Sequence, residues 1–272
     1  MTAGLLSPAL LDLERAAAGH WRAAEQEWLG SWLLRADGGF TGRANSALPL
    51  GDPGLPLASA VDRVEAWYGA RGLPAMVAVP GPAPSGAGPA AVPAAVPAAA
   101  DPLDVLLAER GWRVRSGAAV VMTADAGQVS GAPGSGAVAG PAVRLADRPD
   151  EAWLARYRYR GQHLPAAALR LLLSAPWQAF ASVVAGGQTI AVGRVSVAGG
   201  WAGLTAIDVA PEHRRAGLGT AVTTALVAAA ARRGAARVFL QTEVDNLAAR
   251  ALYERCGFRA VHGYHYRVAP QR

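Results

Sequence analysis

The chain has 272 residues, 52% of them hydrophobic, and 26 basic residues (all arginine) against 20 acidic ones, for a net charge of +6. That length suits two compact domains with substantial cores. No apolar stretch of about twenty residues runs free of Pro, Gly or charge, so a spanning helix is not expected.

Met1 to Ala18 carry acidic residues and only short apolar runs, unlike a signal peptide, which leaves a cytoplasmic location as the default. Trp32 to Arg35 and Phe40 to Ser46 read as early strands, and Val61 to Tyr68 as a helix stopped at Gly72 before a further strand through Val79. The Pro- and Ala-rich run Pro80 to Pro102 reads as an exposed, mobile insert. Leu106 to Arg110 close a helix at Gly111-Trp112, and the Gly/Ala/Ser-rich run Ala124 to Pro141 marks a linker. The expected division is a first domain over 1–125, with its insert at 80–102, a linker at 126–142 and a second domain over 143–272.

In the second domain an apolar run, Trp201 to Val209, meets Ala210-Pro211-Glu212-His213-Arg214-Arg215-Ala216-Gly217-Leu218-Gly219-Thr220 and then an amphipathic segment to Arg233. This reads as strand, turn and helix start. Backbone N–H groups at a helix entrance lack partners within the helix, and the helix dipole adds positive potential, so the turn is an anion seat. Gly217 and Gly219 are expected to let a phosphate approach the main chain. The turn is not a Walker loop, because no Lys-Ser/Thr pair follows and the chain contains no lysine. It also lacks the third small residue of a dinucleotide fingerprint.

Downstream, Gly234 caps the helix and Arg237 to Thr242 read as a strand. Asn246 is a good N-cap and Gly257 a good stop for a helix of about three turns, followed by a last strand through Tyr264 to Val268. Asn246 and Tyr253 lie about two turns apart, on nearly the same face. Arg156, Arg158, Arg160, Arg214 and Arg215 could attract a polyanion. The basic residues are otherwise dispersed and no recognition motif accompanies them, so nucleic acid is not expected. Cys256 is the only cysteine, which excludes an intrachain disulfide, and it reads as a packing residue. His262 and His265 sit on one strand and make no convincing zinc site, so no metal is expected.

The two segments resemble motifs A and B of the GCN5-related N-acetyltransferases (GNAT). Arg214-Arg215-Ala216-Gly217-Leu218-Gly219 matches the Arg/Gln-x-x-Gly-x-Gly/Ala loop, and Asn246 to Phe258 match the helix opened by Asn, carrying Tyr and closed by Gly-Phe. The resemblance covers 143–272. It implies an α/β fold with a mixed sheet and acetyl-CoA as co-substrate. It puts the pyrophosphate at Arg214, Arg215, Ala216, Gly217, Leu218, Gly219 and Thr220, and the pantetheine arm along Ile207 to Val209 and at Asn246. Tyr253 would protonate the leaving thiolate, and a backbone N–H near Val209 would polarise the thioester. Asp208 and Glu243 are the candidate general bases. Glu243 is preferred for its place after the strand and just before Asn246. Tyr157 to His163 and Trp177 to Phe180 are expected to contact the acceptor.

The first domain repeats the second. Leu106 to Trp112 parallel Leu252 to Phe258, and Ala70 to Val79 parallel Arg232 to Gln241. Matching Gly111 to Gly257 puts Leu107 in place of Tyr253. The loop matching the phosphate turn, Gly51 to Pro56, carries Asp52, Pro53 and Pro56, and proline has no N–H to offer an anion. The layout resembles two-lobed GNAT proteins with a degenerate first lobe. The expected function is acetyl transfer from the coenzyme A thioester to a primary amine of a small molecule or peptide. The alternative is a noncatalytic acyl-CoA-binding or regulatory protein.

Overall fold

The computed structural model describes residues 7–83, 101–129, 142–157, 163–165 and 167–270. Most of the 80–102 insert and of the 126–142 linker, together with Arg158 and Arg160, lies outside them. Compactness divides the chain into one unit of Met1–Val120, Glu243–Asp245 and Val261–Arg272, and another of Val121–Thr242 and Asn246–Ala260. These units are not the expected consecutive domains: two strands cross the sequence boundary in opposite directions.

The first unit opens with α1 (Pro8–His20), which the sequence reading passed over although Ser7 precedes a proline at the first helical turn. Its buried residues Leu13, Ala17 and His20 follow helical spacing. Strands β1 (Glu25–Leu29), β2 (Trp32–Ala36) and β3 (Leu48–Pro49) form an antiparallel sheet. The strand expected over Phe40 to Ser46 is instead a loop with a 3₁₀ turn at Gly42–Ala44. Asn45 overrides the apparent strand pattern: its Oδ1 accepts the N–H groups of Asp37 and Gly39 at 2.7 and 2.8 Å, and its Nδ2 donates to Thr41 O.

Helix α2 (Leu57–Gly69), strand β4 (Met76–Gly81), helix α3 (Pro102–Glu109) and strand β5 (Arg113–Asp125) follow. One face of β2 and β4, through Trp32, Leu34, Val77 and Val79, packs with Val61, Val64 and Tyr68 of α2 and Leu107 of α3. The other face carries Leu33, Met76 and Ala78. Leu107 is fully buried in the first of these cores.

In the second unit, β6 (Val143–Ala146), β7 (Trp177–Ala185), β8 (Gln188–Ala198) and β9 (Trp201–Val209) pair antiparallel in succession. Helices α4 (Glu151–Arg156) and α5 (Ala167–Leu172) fall between β6 and β7 in sequence. Helix α6 (Leu218–Ala231) then leads to β10 (Arg237–Glu243), which pairs parallel with β9, and α7 (Leu247–Arg255) precedes β11 (Arg259–Val268). Gly193 of β8 makes room for α6, since a Cβ there would lie 2.6 Å from Val222 Cγ1 and 2.9 Å from Leu226 Cδ1. From its neighbour Arg194, Nε donates to Leu172 O at the end of α5. Trp153 of α4 donates from Nε1 to Ala181 O and meets Phe180 edge to face, with ring centroids 5.2 Å apart.

The four helix ends that the sequence pattern pairs share one closing geometry. After α2 and α6, Leu73 N–H reaches Tyr68 O and Ala235 N–H reaches Ala230 O. After α3 and α7, Trp112 N–H reaches Leu107 O and Phe258 N–H reaches Tyr253 O. The glycines between them, 72, 234, 111 and 257, all have positive φ, the geometry of a Schellman cap. The strands that follow α3 and α7 part company with their own halves. Strand β11 pairs antiparallel with β4 in the first unit, from Gly263 opposite Gly81 to Val268 opposite Met76. The end of β5, Val121 to Asp125, belongs to the second unit, where β5 neighbours β10. A fragment of residues 143–272 is therefore expected to be insoluble. It loses the strand beside β10 and leaves β11 without β4, both open edges. Size-exclusion chromatography of that fragment is the check, and a soluble monomer would count against the exchange.

Two polar ties, one buried and one part-buried, hold β11. His262 lies 3.0 Å from Glu14 of α1 with both side chains almost fully buried, and Asp104 of α3 takes Arg267 Nε at 2.8 Å and His265 at 2.9 Å. Burial works against the His262 charge, but the Glu14 carboxylate outweighs it and holds the imidazole above its ordinary value. The folded value thus exceeds the unfolded one of about 6.5. Its stabilisation is complete below that pH and is lost as pH rises through the folded value. Urea midpoints of the wild type and Glu14→Gln should converge as pH rises across this window, and curves of constant separation would refute the tie.

Candidate active site

Strands β9 and β10 pair from Trp201 opposite Arg237 to Leu204 opposite Leu240, and there the pairing stops. Both strands continue, β9 to Val209 and β10 to Glu243. The burial of β9 changes at the same point, from fully buried Trp201 to Leu204 to half-buried Thr205 to Val209. On its other edge β9 remains paired to β8 but slips register, with Arg194 opposite Thr205 and Val192 opposite Asp208. Two residues, Ala206 and Ile207, thus oppose Gly193 alone, a β-bulge. Ala206 takes up the bulge at φ 57°, a conformation that costs an L-residue about 1 kcal/mol. No glycine marks this place in β9, so the residue pattern carries no signal of it.

The turn after β9 is shaped for an anion. Arg215 and Gly217 both have positive φ, 65° and 77°, an arrangement that directs successive N–H groups into one concavity. No side chain caps Gly217. The first helical bond of α6 runs from Ala221 N–H to Gly217 O at 3.0 Å, so the amides of Leu218, Gly219 and Thr220 precede the ladder. Space beside Gly217 is open, with no atom within 4 Å of a Cβ built there. Arg214 and Arg215 are exposed on the turn, and Arg214 Nε donates to Val209 O at 3.2 Å. These residues fit a pyrophosphate. Gly219 differs from the expectation, because a Cβ there would meet Leu252 Cδ1 at 2.6 Å. Its missing side chain makes room for α7.

Helix α7 starts as expected, with Asn246 Oδ1 accepting Ala249 N–H at 3.2 Å. That bond uses the carbonyl oxygen and leaves the amide NH₂ for another partner. Tyr253 is 8% exposed, with Phe258 at 5.8 Å between ring centroids. Desolvation, then the neighbouring Cys256, pushes its phenol far above the ordinary value, so it is protonated at neutral pH. Cys256 is buried, and burial raises its thiol as well.

The remaining candidates separate. Asp208 is committed to Arg156 of α4, whose Nη2 lies 3.1 Å from Oδ2. Glu243 ends β10 beyond the last β9 pairing and groups with the first unit, where Val244 N–H donates to Ala118 O. Trp177 stands opposite Val197, at the end of the sheet remote from Val209, and carries Arg233 over its ring at 5.1 Å. Phe180 is buried against Trp153. Trp177 thus lies toward the end where β9 and β10 still pair, and Ala179 and Phe180 are buried. Of the other expected acceptor segment, 158–162 lie outside the described residues. Among the described residues no group of three His, Cys, Asp or Glu side chains is placed for a metal, and no helix is long and apolar enough to cross a membrane.

A mixed sheet whose parallel pair parts beside an anion-binding helix start is the architecture of the GNAT N-acetyltransferases, and the comparisons agree. A family model described as "Probable histone acetyltransferase Rv0428c C-terminal" matches residues 9–267, and the chain belongs to that family. It is 30% identical over 270 residues to the uncharacterized N-acetyltransferase YobR of Bacillus subtilis (strain 168), covering 94% of this chain and 97% of that one. It is 31% identical over 264 residues to the probable histone acetyltransferase Rv0428c of Mycobacterium tuberculosis, covering 95% and 73%. A GCN5-related N-acetyltransferase from Kribbella flavida superposes with a TM-score of 0.65 at 18% identity, over 96% of each chain. A tandem GNAT protein from the clavulanic acid pathway gives 0.57 at 18% identity, over 79% and 70%. The protein is an N-acetyltransferase of the GNAT fold.

Gly217→Glu places a carboxylate in the open space beside the turn and forces a side chain onto φ 77°. Coenzyme A binding measured by calorimetry is expected to vanish while the far-ultraviolet circular dichroism is retained. Wild-type affinity in that variant would falsify the anion seat.

Proposed function

We propose that the protein transfers acetyl from acetyl-CoA to a primary amine by direct attack on the thioester. One observation carries the reading: within the second unit, parted strands, a glycine turn with uncommitted amides and a helix bearing a protonated tyrosine succeed one another. Acetyl-CoA enters as a substrate. Arg214, Arg215, Ala216, Gly217, Leu218, Gly219 and Thr220 would hold its pyrophosphate. Ile207, Val209 and Asn246 would hold the pantetheine arm, extended along the edge of β9 that β10 leaves.

The amine nitrogen forms a bond to the thioester carbonyl carbon, and the carbon–sulfur bond then breaks. A base removes the ammonium proton and an acid returns one to sulfur. Tyr253 suits the second task because burial keeps its proton in place until a thiolate forms beside it. Glu243 is the proposed base, on the strand that parts from β9, whereas the Asp208 carboxylate is occupied by Arg156. Backbone N–H groups near Val209 would polarise the carbonyl, the kind of contact that strengthens as charge develops on oxygen. The first lobe, with Leu107 buried and the Gly54 N–H already bonded to Asp52 Oδ1 at 2.8 Å, is proposed to hold no second coenzyme.

Release of the free thiol of coenzyme A, followed against polyamines, amino acids, lysine peptides and a basic histone-like protein, tests the activity and sorts the acceptor classes. The name of the mycobacterial relative motivates the last arm. Tyr253→Phe removes one hydroxyl and is expected to lower kcat by about 10²- to 10⁴-fold with coenzyme affinity little changed. An unaltered kcat, with chemistry shown to limit turnover, would remove Tyr253 from the mechanism.

A further inference from the structure

The two glycines of the anion turn do different work. Beside Gly217 there is open space, as a ligand needs. Gly219 is buried, and its missing methyl is where Leu252 Cδ1 sits, 2.6 Å from the position a Cβ would take; the next side chain, Val209, is 3.9 Å away. This contact joins the first turn of α6 to α7 at the residue before Tyr253. Leu252 and Tyr253 are adjacent and so project about 100° apart around the helix. Leu252 faces α6 while Tyr253 meets Phe258.

We propose that Leu252, seated in the notch left by Gly219, is a positioning residue for Tyr253: it fixes how deeply α7 rests on the turn whose amides hold the pyrophosphate. The proposal rests on the coenzyme seat described above. The reach between pyrophosphate and sulfur in the coenzyme is limited by its covalent structure. The amides on α6 and the phenol on α7 must therefore be spaced to match it. A methyl group at Gly219 pushes against Leu252 and displaces α7, whereas the amides of the turn keep their direction. The loss then falls on catalysis and not on coenzyme binding, the reverse of what a glycine needed for phosphate access would give.

The test measures coenzyme A affinity by calorimetry and kcat for an amine found by the thiol-release assay, in the wild type, Gly219→Ala, Leu252→Val and Gly219→Ala/Leu252→Val. Gly219→Ala is expected to bind coenzyme A like the wild type and to lose about 10- to 100-fold in kcat, the scale of a misplacement near 1 Å. The double variant, which removes the methyl that collides, is expected to regain much of that loss. Leu252→Val alone is expected to lower kcat at unchanged affinity, and it carries the test should Gly219→Ala fold poorly. Weakened coenzyme binding in Gly219→Ala with no recovery in the double variant would overturn the proposal in favour of phosphate access. Wild-type kcat in both single variants would overturn it outright. A wild-type protein that binds no coenzyme A would overturn the seat itself, and the calorimetry separates that failure from the other two.

Discussion

The second unit is organised around a single refusal to pair. Strands β9 and β10 hold a parallel register as far as Leu204 and Leu240 and then part, although each continues. Backbone groups beyond that point are obligatory hydrogen-bonding groups and need partners. The bulge at Ala206 and Ile207 turns β9 while preserving its pairing to β8, and Gly193 opposite the bulge lets α6 approach the same strand. The bulge, the notch and the anion turn thus lie on one continuous stretch of chain. Moving the bulge by a residue would reverse which β9 side chains face the helix.

Much of this was legible in the sequence because it depends on residue type. The helix ends at Gly72, Gly111, Gly234 and Gly257 require the left-handed region, and each is found there. The cap at Asn246 and the turn at Gly217 are of the same kind. What could not be read depends on partners remote in sequence. Ala206 adopts a positive φ with a side chain that gives no hint of it, because the pairing to β8 imposes it. Gly219 has the look of a phosphate glycine, yet its constraint comes from Leu252. Phe40 to Ser46 resemble a strand until Asn45 takes up the local N–H groups.

The exchange of β5 and β11 was hidden for a different reason. Periodicity marks a strand but says nothing of its neighbour. Both strands follow the same helix–glycine–aromatic cap, so either could serve either half. The register of β11 is pinned instead by side chains specific to it: His262 on Glu14 and, from the alternate positions, His265 and Arg267 on Asp104. Partial burial opposes the Asp104 charge, but hydrogen bonds from His265 and Arg267 outweigh it and hold the carboxyl far below the usual carboxylate range, so Asp104 keeps its charge at ordinary pH. Breaking a buried pair leaves an uncompensated charge, which disfavours alternative registers more than the pair favours its own.

The same reasoning bears on the tyrosine. A phenol is a weak acid, and burial makes it weaker, which would be a poor design for giving up a proton to water. Against a thiolate leaving group the comparison changes. An anion formed in a water-poor site is destabilised by the same desolvation that holds the phenol's proton, so sulfur's affinity for a proton rises alongside the phenol's, and in the proposed mechanism the hydroxyl donates as charge reaches sulfur. Leu107, in the matching position of the first half, offers no such group and is buried in a core of aliphatic and aromatic side chains. The repeated cap geometry around Leu107 and Tyr253 is the same to within 0.1 Å in its closing hydrogen bond, 2.9 against 3.0 Å. One scaffold therefore carries a purely apolar anchor in the first half and the proposed proton donor in the second. The difference between them is one side chain: Leu107 is fully buried, and Tyr253 is 8% exposed.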